Sequence, residues 1–211
     1  MEAFIEYLAR WGHFLAGITW IGLLYYFNFV QTEYFKEAEP TAKADAVKKL
    51  APRALWWFRW AAMFTFLTGV VLLEIVRRGW GWDSYIIMGA VLGTLMFLNV
   101  WLIIWPNQKI VCGLAEGDAA AAAPKAGLAS RTNTLFSGTM LIGMMGSFHG
   151  TGAASQGTGS LPLGLWIVLA LIAALQANAI WGKTGPITTV KGVIHCSIGL
   201  TIVFLALLQF V

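Results

Sequence analysis

The feature that most constrains the fold of this chain is a series of long apolar stretches separated by short polar connections. A helix needs about 20 mostly apolar residues to cross the hydrocarbon core of a bilayer. The stretches that approach or exceed this length are residues 4–30, 55–76, 84–105, 134–148, 162–181 and 188–211. The fourth is the shortest, and its glycines make it less apolar than the others. We therefore predict an all-α fold, a polytopic membrane helix bundle of about six transmembrane helices, with residues 1–211 in one domain.

The composition excludes several other classes of protein. The chain is 58% hydrophobic and only 11% charged, whereas soluble domains carry about 25% charged residues. No basic cluster alternates with exposed aromatic residues, so we expect no nucleic-acid partner. The first residues carry two glutamates and no basic region, so we expect the first helix to be retained rather than cleaved as a signal peptide.

The distribution of lysine and arginine predicts the orientation of the bundle. The connections after the first, third and fifth spans carry ten of these residues, and the other side of the membrane carries three. Because short cytoplasmic loops are rich in Lys and Arg, we expect these three connections in the cytoplasm and both termini outside.

Four of the ionisable residues in or at the ends of the apolar spans stand out as candidates, since a charge there is costly and a functional role is the default hypothesis. They are His13, Arg59, His149 and His195. With the predicted orientation, His13 and His149 both lie near the outer face. At about 1.5 Å of rise per residue, His195 lies in the inner third of the last span.

Two imidazoles on facing helices can be the axial ligands of a b-type haem, which needs no covalent attachment. Residues three or four apart share a helix face, so Gly17 and then Trp20 accompany His13, and Gly146 accompanies His149. The glycines leave space beside each histidine. The pattern predicts His13 and His149 as metal ligands, with Gly17, Trp20 and Gly146 shaping a pocket for haem b.

Other interpretations of these residues remain open. Glycines at such spacings also allow helices to pack closely, and a membrane histidine can simply bind a backbone carbonyl. Arg59, among tryptophans, either extends towards the lipid phosphates or holds an anion such as a haem propionate or a substrate carboxylate. His195, at the depth of Arg59, either ligates a second haem or binds a carbonyl.

Four segments of the chain are similar in sequence to those of a known protein family. "RWGHFLAGITWIGLLYYFNF", "LWWFRWAAMFTFLTGVVLL", "FLNVWLIIWPNQK" and "SRTNTLFSGTMLIGMMGSFH" follow one another over roughly residues 8–150. Together they resemble the membrane domain of bacterial cytochrome-linked urate hydroxylases, the urate oxidase N-terminal family. The family's first-span histidine falls on His13, its Ser-x-His motif on Ser147 and His149, and its aromatic-basic-Trp motif on residues 58–60.

The resemblance implies a bundle in the bacterial inner (cytoplasmic) membrane that is coupled to a c-type cytochrome and passes electrons to the respiratory chain. This chain has only Cys112 and Cys196 and lacks Cys-x-x-Cys-His, so the expected partner is a separate c-type cytochrome or another respiratory-complex subunit. We therefore expect a b-type haem protein that transfers electrons to or from such a partner. The alternatives are a cofactor-free structural subunit and the membrane component of a urate-oxidising oxidoreductase.

Overall fold

A computed structural model describes residues 1–79, 81–149 and 161–211, with the backbone alone at residues 148 and 149. Within these ranges the chain is all-α, as the sequence predicts, and forms six helices and a short 3-10 turn, Gly185–Thr188. The helices are α1 (Glu2–Glu37), α2 (Pro40–Gly79), α3 (Ser84–Val111), α4 (Ala119–His149), α5 (Leu163–Trp181) and α6 (Val190–Phe210).

Five of these helices are long and apolar enough to cross a membrane, namely α1, α2, α3, α5 and α6. They confirm five of the predicted spans and identify a multi-pass membrane protein whose outer surface meets lipid. The fourth predicted span is also helical, within the 31 residues of α4, but α4 does not have the apolar composition of the other five.

The position of α4 explains its composition. It packs against α1, α3, α5 and α6, and nearly every side chain between residues 131 and 140 is buried. A helix enclosed by protein needs no apolar surface for lipid, and its polar groups can bind neighbouring helices. The serine, threonine and asparagine residues of α4 therefore face protein rather than lipid.

Side-chain hydrogen bonds fix the direction of α4 relative to α1. The Tyr25 hydroxyl lies 2.8 Å from the Ser137 hydroxyl, and Asn28 Nδ2 donates to Ser130 Oγ at 2.8 Å. Because higher numbers on α1 meet lower numbers on α4, the two helices are antiparallel. We call the end with residues 31–53, 106–131 and 182–191 the lysine-rich end, and the end with His13 and the last turn of α4 the histidine end.

Helices α3 and α4 cross at two glycines. A Cβ atom on Gly143 would lie 2.8 Å from Gly89 N and 2.9 Å from the carbonyl oxygen of Tyr85. These neighbours are backbone atoms, which cannot rotate away as a side chain can. Only glycine fits at this crossing without moving one helix away from the other.

Three helices contain a π-helical turn, at Tyr26–Gln31 in α1, Ala46–Leu50 in α2 and Asn99–Ile104 in α3. Such turns widen a helix locally and occur frequently at functional sites. Two of them present buried polar residues to the bundle, Asn28 and Asn99.

Candidate functional site

His13 lies on α1, half-buried against α2. Its Nδ1 atom is 3.1 Å from Thr68 Oγ1. The Thr68 hydroxyl is in turn placed to donate its hydrogen to the Phe64 carbonyl at 2.6 Å. Thr68 Oγ1 can then accept a hydrogen bond from the His13 tautomer that carries its proton on Nδ1. This tautomer leaves the Nε2 lone pair available to a metal.

The surface of α2 is shaped to receive the His13 ring. A Cβ atom on Gly69 would lie 3.1 Å from His13 Cε1, so a larger residue there would press on the imidazole. Gly17, which the sequence predicts as part of the pocket, also faces α2, with Thr65 Cγ2 at 3.9 Å from the position of its missing Cβ. Small residues thus hold α1 and α2 close together around His13.

His149 is the last residue of α4, and its side chain lies outside the part of the chain that the structure describes. The backbone register still gives its depth. From the contact between Tyr25 and Ser137, both His13 and His149 lie twelve residues further towards the histidine end. Twelve residues of helix rise about 18 Å. The two histidines are therefore equally far, counted along their own helices, from the contact between Tyr25 and Ser137.

Trp20 and Gly146, the other two predicted pocket residues, have different surroundings. Trp20 is only 2% exposed, and its indole Nε1 is buried without a hydrogen-bond partner. A buried donor without a partner is uncommon in folded proteins, and an ordered water, an ion or a bound group can supply its acceptor. Beside Gly146, by contrast, a Cβ atom would lie 2.6 Å from the Tyr85 ring, so that face is filled by Tyr85 and offers no open space.

Arg59 lies on α2 with its guanidinium over an aromatic ring of α3. Its Cζ atom is 3.7 Å from the Trp105 ring centre and 6.0 Å from that of Trp101. The charge is thus stabilised by cation–π contact. Its Nε is buried and has no hydrogen-bond partner. The structure does not bring it together with His13, which belongs to the opposite end of the bundle.

His195 is exposed on α6, and a Cβ atom added at the neighbouring Gly199 would meet no other atom. Helix α6 packs on α4, α5 and the 3-10 turn, whereas Arg59 stacks on α3. The structure therefore groups His195 with neither His13 nor Arg59.

Sequence reasoning missed a buried amide network between α3, α4 and α5. Asn99 Nδ2 donates to Asn133 Oδ1 at 2.8 Å and to Gln176 Oε1 at 3.0 Å, and Gln176 Nε2 donates back to Asn99 at 2.6 Å. Asn133 Nδ2 donates to the carbonyl of Met96 at 2.9 Å. Because each amide nitrogen has an acceptor, the network fits a structural role that fixes the register of three helices.

Sequence reasoning also missed a cavity of about 340 Å³ at the lysine-rich end, which we call the Arg131 cavity. Its apolar wall includes Phe27, Leu55 and Phe58, and its polar side includes Gln31 and Arg131. Arg131 is 7% exposed. Its Nη1 and the Oε1 of Gln31 are buried, and neither has a hydrogen-bond partner.

The urate oxidase N-terminal family model matches residues 80–184. The match confirms the resemblance and corrects its extent, because it begins after α2 and continues beyond residue 150. It contains the amide network, Arg131 and His149, and it does not contain His13 or Arg59. No curated protein and no solved structure matches the chain.

Proposed function

Because residues 80–184 place this chain in the urate oxidase N-terminal family, we propose that it is a membrane protein that binds a b-type haem through His13 and His149. We further propose that it transfers electrons to or from a partner cytochrome. The observation that carries the proposal is the orientation of His13 by Thr68.

This orientation is the one that a metal-binding histidine needs. Metal-ligating imidazoles almost always donate their second N–H to an oxygen, which fixes the ring and its tautomer. Thr68 can supply that oxygen when its own hydroxyl hydrogen is donated to the carbonyl of Phe64 or Thr65. Gly69 leaves room for the ring beside α2. His13 would therefore be one of the two residues that hold the haem.

We propose His149 as the second residue that would hold the haem, because of its position along α4. Two imidazoles can share one haem only when their helices face each other at the same level. His149 lies as far from the contact between Tyr25 and Ser137 as His13 does. Trp20, between His13 and that contact, offers an indole N–H to an acceptor on the bound group. When bound, such a haem takes up and releases single electrons.

In the expected orientation, the proposed haem site is on the side of the membrane where a periplasmic c-type cytochrome would bind. With the lysine-rich end in the cytoplasm, the histidine end lies at the periplasmic side of a bacterial inner membrane, and both termini lie there as well. A c-type cytochrome in the periplasm could then exchange electrons with a haem at His13. In a urate-oxidising assembly, this chain would be the membrane component that carries electrons away from the oxidation.

Substitution of Thr68 by valine tests whether Thr68 orients His13 for haem binding. Valine keeps the shape of threonine and removes the acceptor for His13 Nδ1–H. Loss of such a partner typically weakens metal binding about 10–100-fold, so we expect haem to bind the Thr68→Val variant weaker by that factor. The measurement is a haem titration of the purified apo-protein, followed by absorbance.

Thr19→Val is the matched control for this titration, since Thr19 donates to the Leu15 carbonyl and does not contact His13. It should bind haem as the wild type does. Equal affinity of wild type and Thr68→Val would contradict the role of Thr68. Absence of saturable binding by the wild type would contradict the haem proposal and favour a cofactor-free structural subunit.

A further inference from the structure

We infer that the Arg131 cavity binds an oxyanion that also carries a hydrogen-bond donor. This site is separate from the proposed haem site, since it lies at the lysine-rich end and the histidines lie at the other. The inference uses the described side chains of α1, α2 and α4, and it does not depend on haem binding.

The buried guanidinium of Arg131 is the first step of the argument. An arginine side chain remains protonated in a protein, and a buried charge is costly unless it is paired and hydrogen-bonded. Arg131 is 7% exposed, and its Nη1 has no partner. The nearby carboxylate of Glu33 is 45% exposed and binds Lys36 at 2.7 Å. Glu33 already interacts electrostatically with Arg131, and an oxyanion in the cavity would add a second negative charge and the acceptor that Arg131 Nη1 lacks.

The second step is the buried acceptor on Gln31, which lies in the π-helical turn of α1. Its Oε1 lines the same cavity as Arg131 and has no donor. Another polar group of the lining, Asn28 Nδ2, is already occupied by the Leu24 carbonyl and Ser130 Oγ. Among the described residues of the lining, Arg131 Nη1 is thus a buried donor and Gln31 Oε1 a buried acceptor without a partner. A ligand that satisfies both carries an oxyanion and an O–H or N–H group.

The walls and the volume limit the ligand further. Phe27, Leu55 and Phe58 form an apolar side, which suits a short carbon chain. The volume of about 340 Å³ is at the lower end of the range for small-molecule sites. Two sources have the required chemistry: a small hydroxycarboxylate from solution, and the phosphate and hydroxyl groups of an anionic lipid headgroup, which a lysine-rich membrane face attracts.

Thermal unfolding in nanodiscs tests anion binding in the Arg131 cavity with three small molecules of similar shape. Lactate has the carboxylate and the donor, propionate lacks the hydroxyl, and lactamide lacks the charge. In phosphatidylcholine nanodiscs at constant ionic strength, lactate should raise the Tm most, propionate less and lactamide least, because a ligand stabilises the folded state according to its affinity. The Arg131→Gln variant should lose the lactate shift.

Arg53→Gln is the matched control, because Arg53 is an exposed arginine at the same end and its loss should leave the lactate shift unchanged. Gln31→Glu retains Arg131 and opposes the anion with a negative charge, so it should also lose the shift. If Arg131→Gln does not fold, the Gln31→Glu variant provides the test of the anion site in its place. Haem content should be unchanged in these variants, so failure of the anion site and failure of the haem proposal give different results.

Nanodiscs with phosphatidylglycerol separate the two sources of the oxyanion. If a lipid headgroup fills the cavity, phosphatidylglycerol should raise the Tm of the wild type but not that of Arg131→Gln, and added lactate should have no further effect. If the ligand is soluble, lactate should act equally in both lipids. The inference is overturned if neither lactate nor phosphatidylglycerol gives a shift that depends on Arg131, or if Gln31→Glu keeps the full shift.

Discussion

Replacing His13 with alanine is expected to remove the low-spin b-type haem spectrum from the purified protein. The substitution takes away an axial ligand, whereas Thr68→Val removes only its hydrogen-bond partner. The affinity for haem should therefore fall by more than the about 10–100-fold expected for that partner. The measurement is the haem content per chain, from a pyridine extract, together with the absorbance spectrum of the same sample.

His149→Ala should have the same effect, because the proposed site needs both imidazoles. His195→Ala is the control: it removes an exposed histidine that the structure groups with neither His13 nor Arg59, and it should keep the wild-type spectrum. A normal spectrum in the folded His13→Ala protein would show that His13 is a packing residue.

Replacing Gly143 with alanine should destabilise the bundle substantially. The added methyl group would lie 2.8 Å from Gly89 N and 2.9 Å from the Tyr85 carbonyl oxygen, so α3 and α4 would have to separate. Overpacking of this kind typically costs about 1–3 kcal/mol. The amide network that joins the same two helices should be strained by that separation. The free energy of unfolding in detergent, from a denaturant titration, measures the effect.

Gly22→Ala is the matched control, since a Cβ atom on Gly22 would meet no atom within 4 Å. Alanine favours a helix over glycine by about 1 kcal/mol, so this variant should be as stable as the wild type or more stable. Equal stability of Gly143→Ala and Gly22→Ala would show that the α3–α4 crossing is looser than the structure describes.

The sequence predicts the helices better than it predicts which of them face lipid. Long apolar runs give α1, α2, α3, α5 and α6, because lipid-facing helices must be apolar over a whole bilayer thickness. The composition of α4 is explained only by its enclosure, which is a property of the assembled bundle. The π-helical turns leave no signal in a pattern of apolar residues.

The candidate site could also be predicted only in part from the sequence. His13 stands out because an imidazole is rare in an apolar run. Thr68, which orients it, is 55 positions away, and no spacing rule connects the two. Arg131 counts as a loop charge when the chain is oriented by its lysines and arginines. Its burial becomes visible only when α1, α2 and α4 close around the cavity.

The reduced-minus-oxidised absorbance spectrum of the detergent-purified wild type, from cells with adequate haem supply, tests the central claim most directly. The account predicts a sharp b-type band at about one haem per chain, as expected for two imidazole ligands on one iron. Folded protein without haem would contradict it, and His13 would then be a residue that packs α1 against α2.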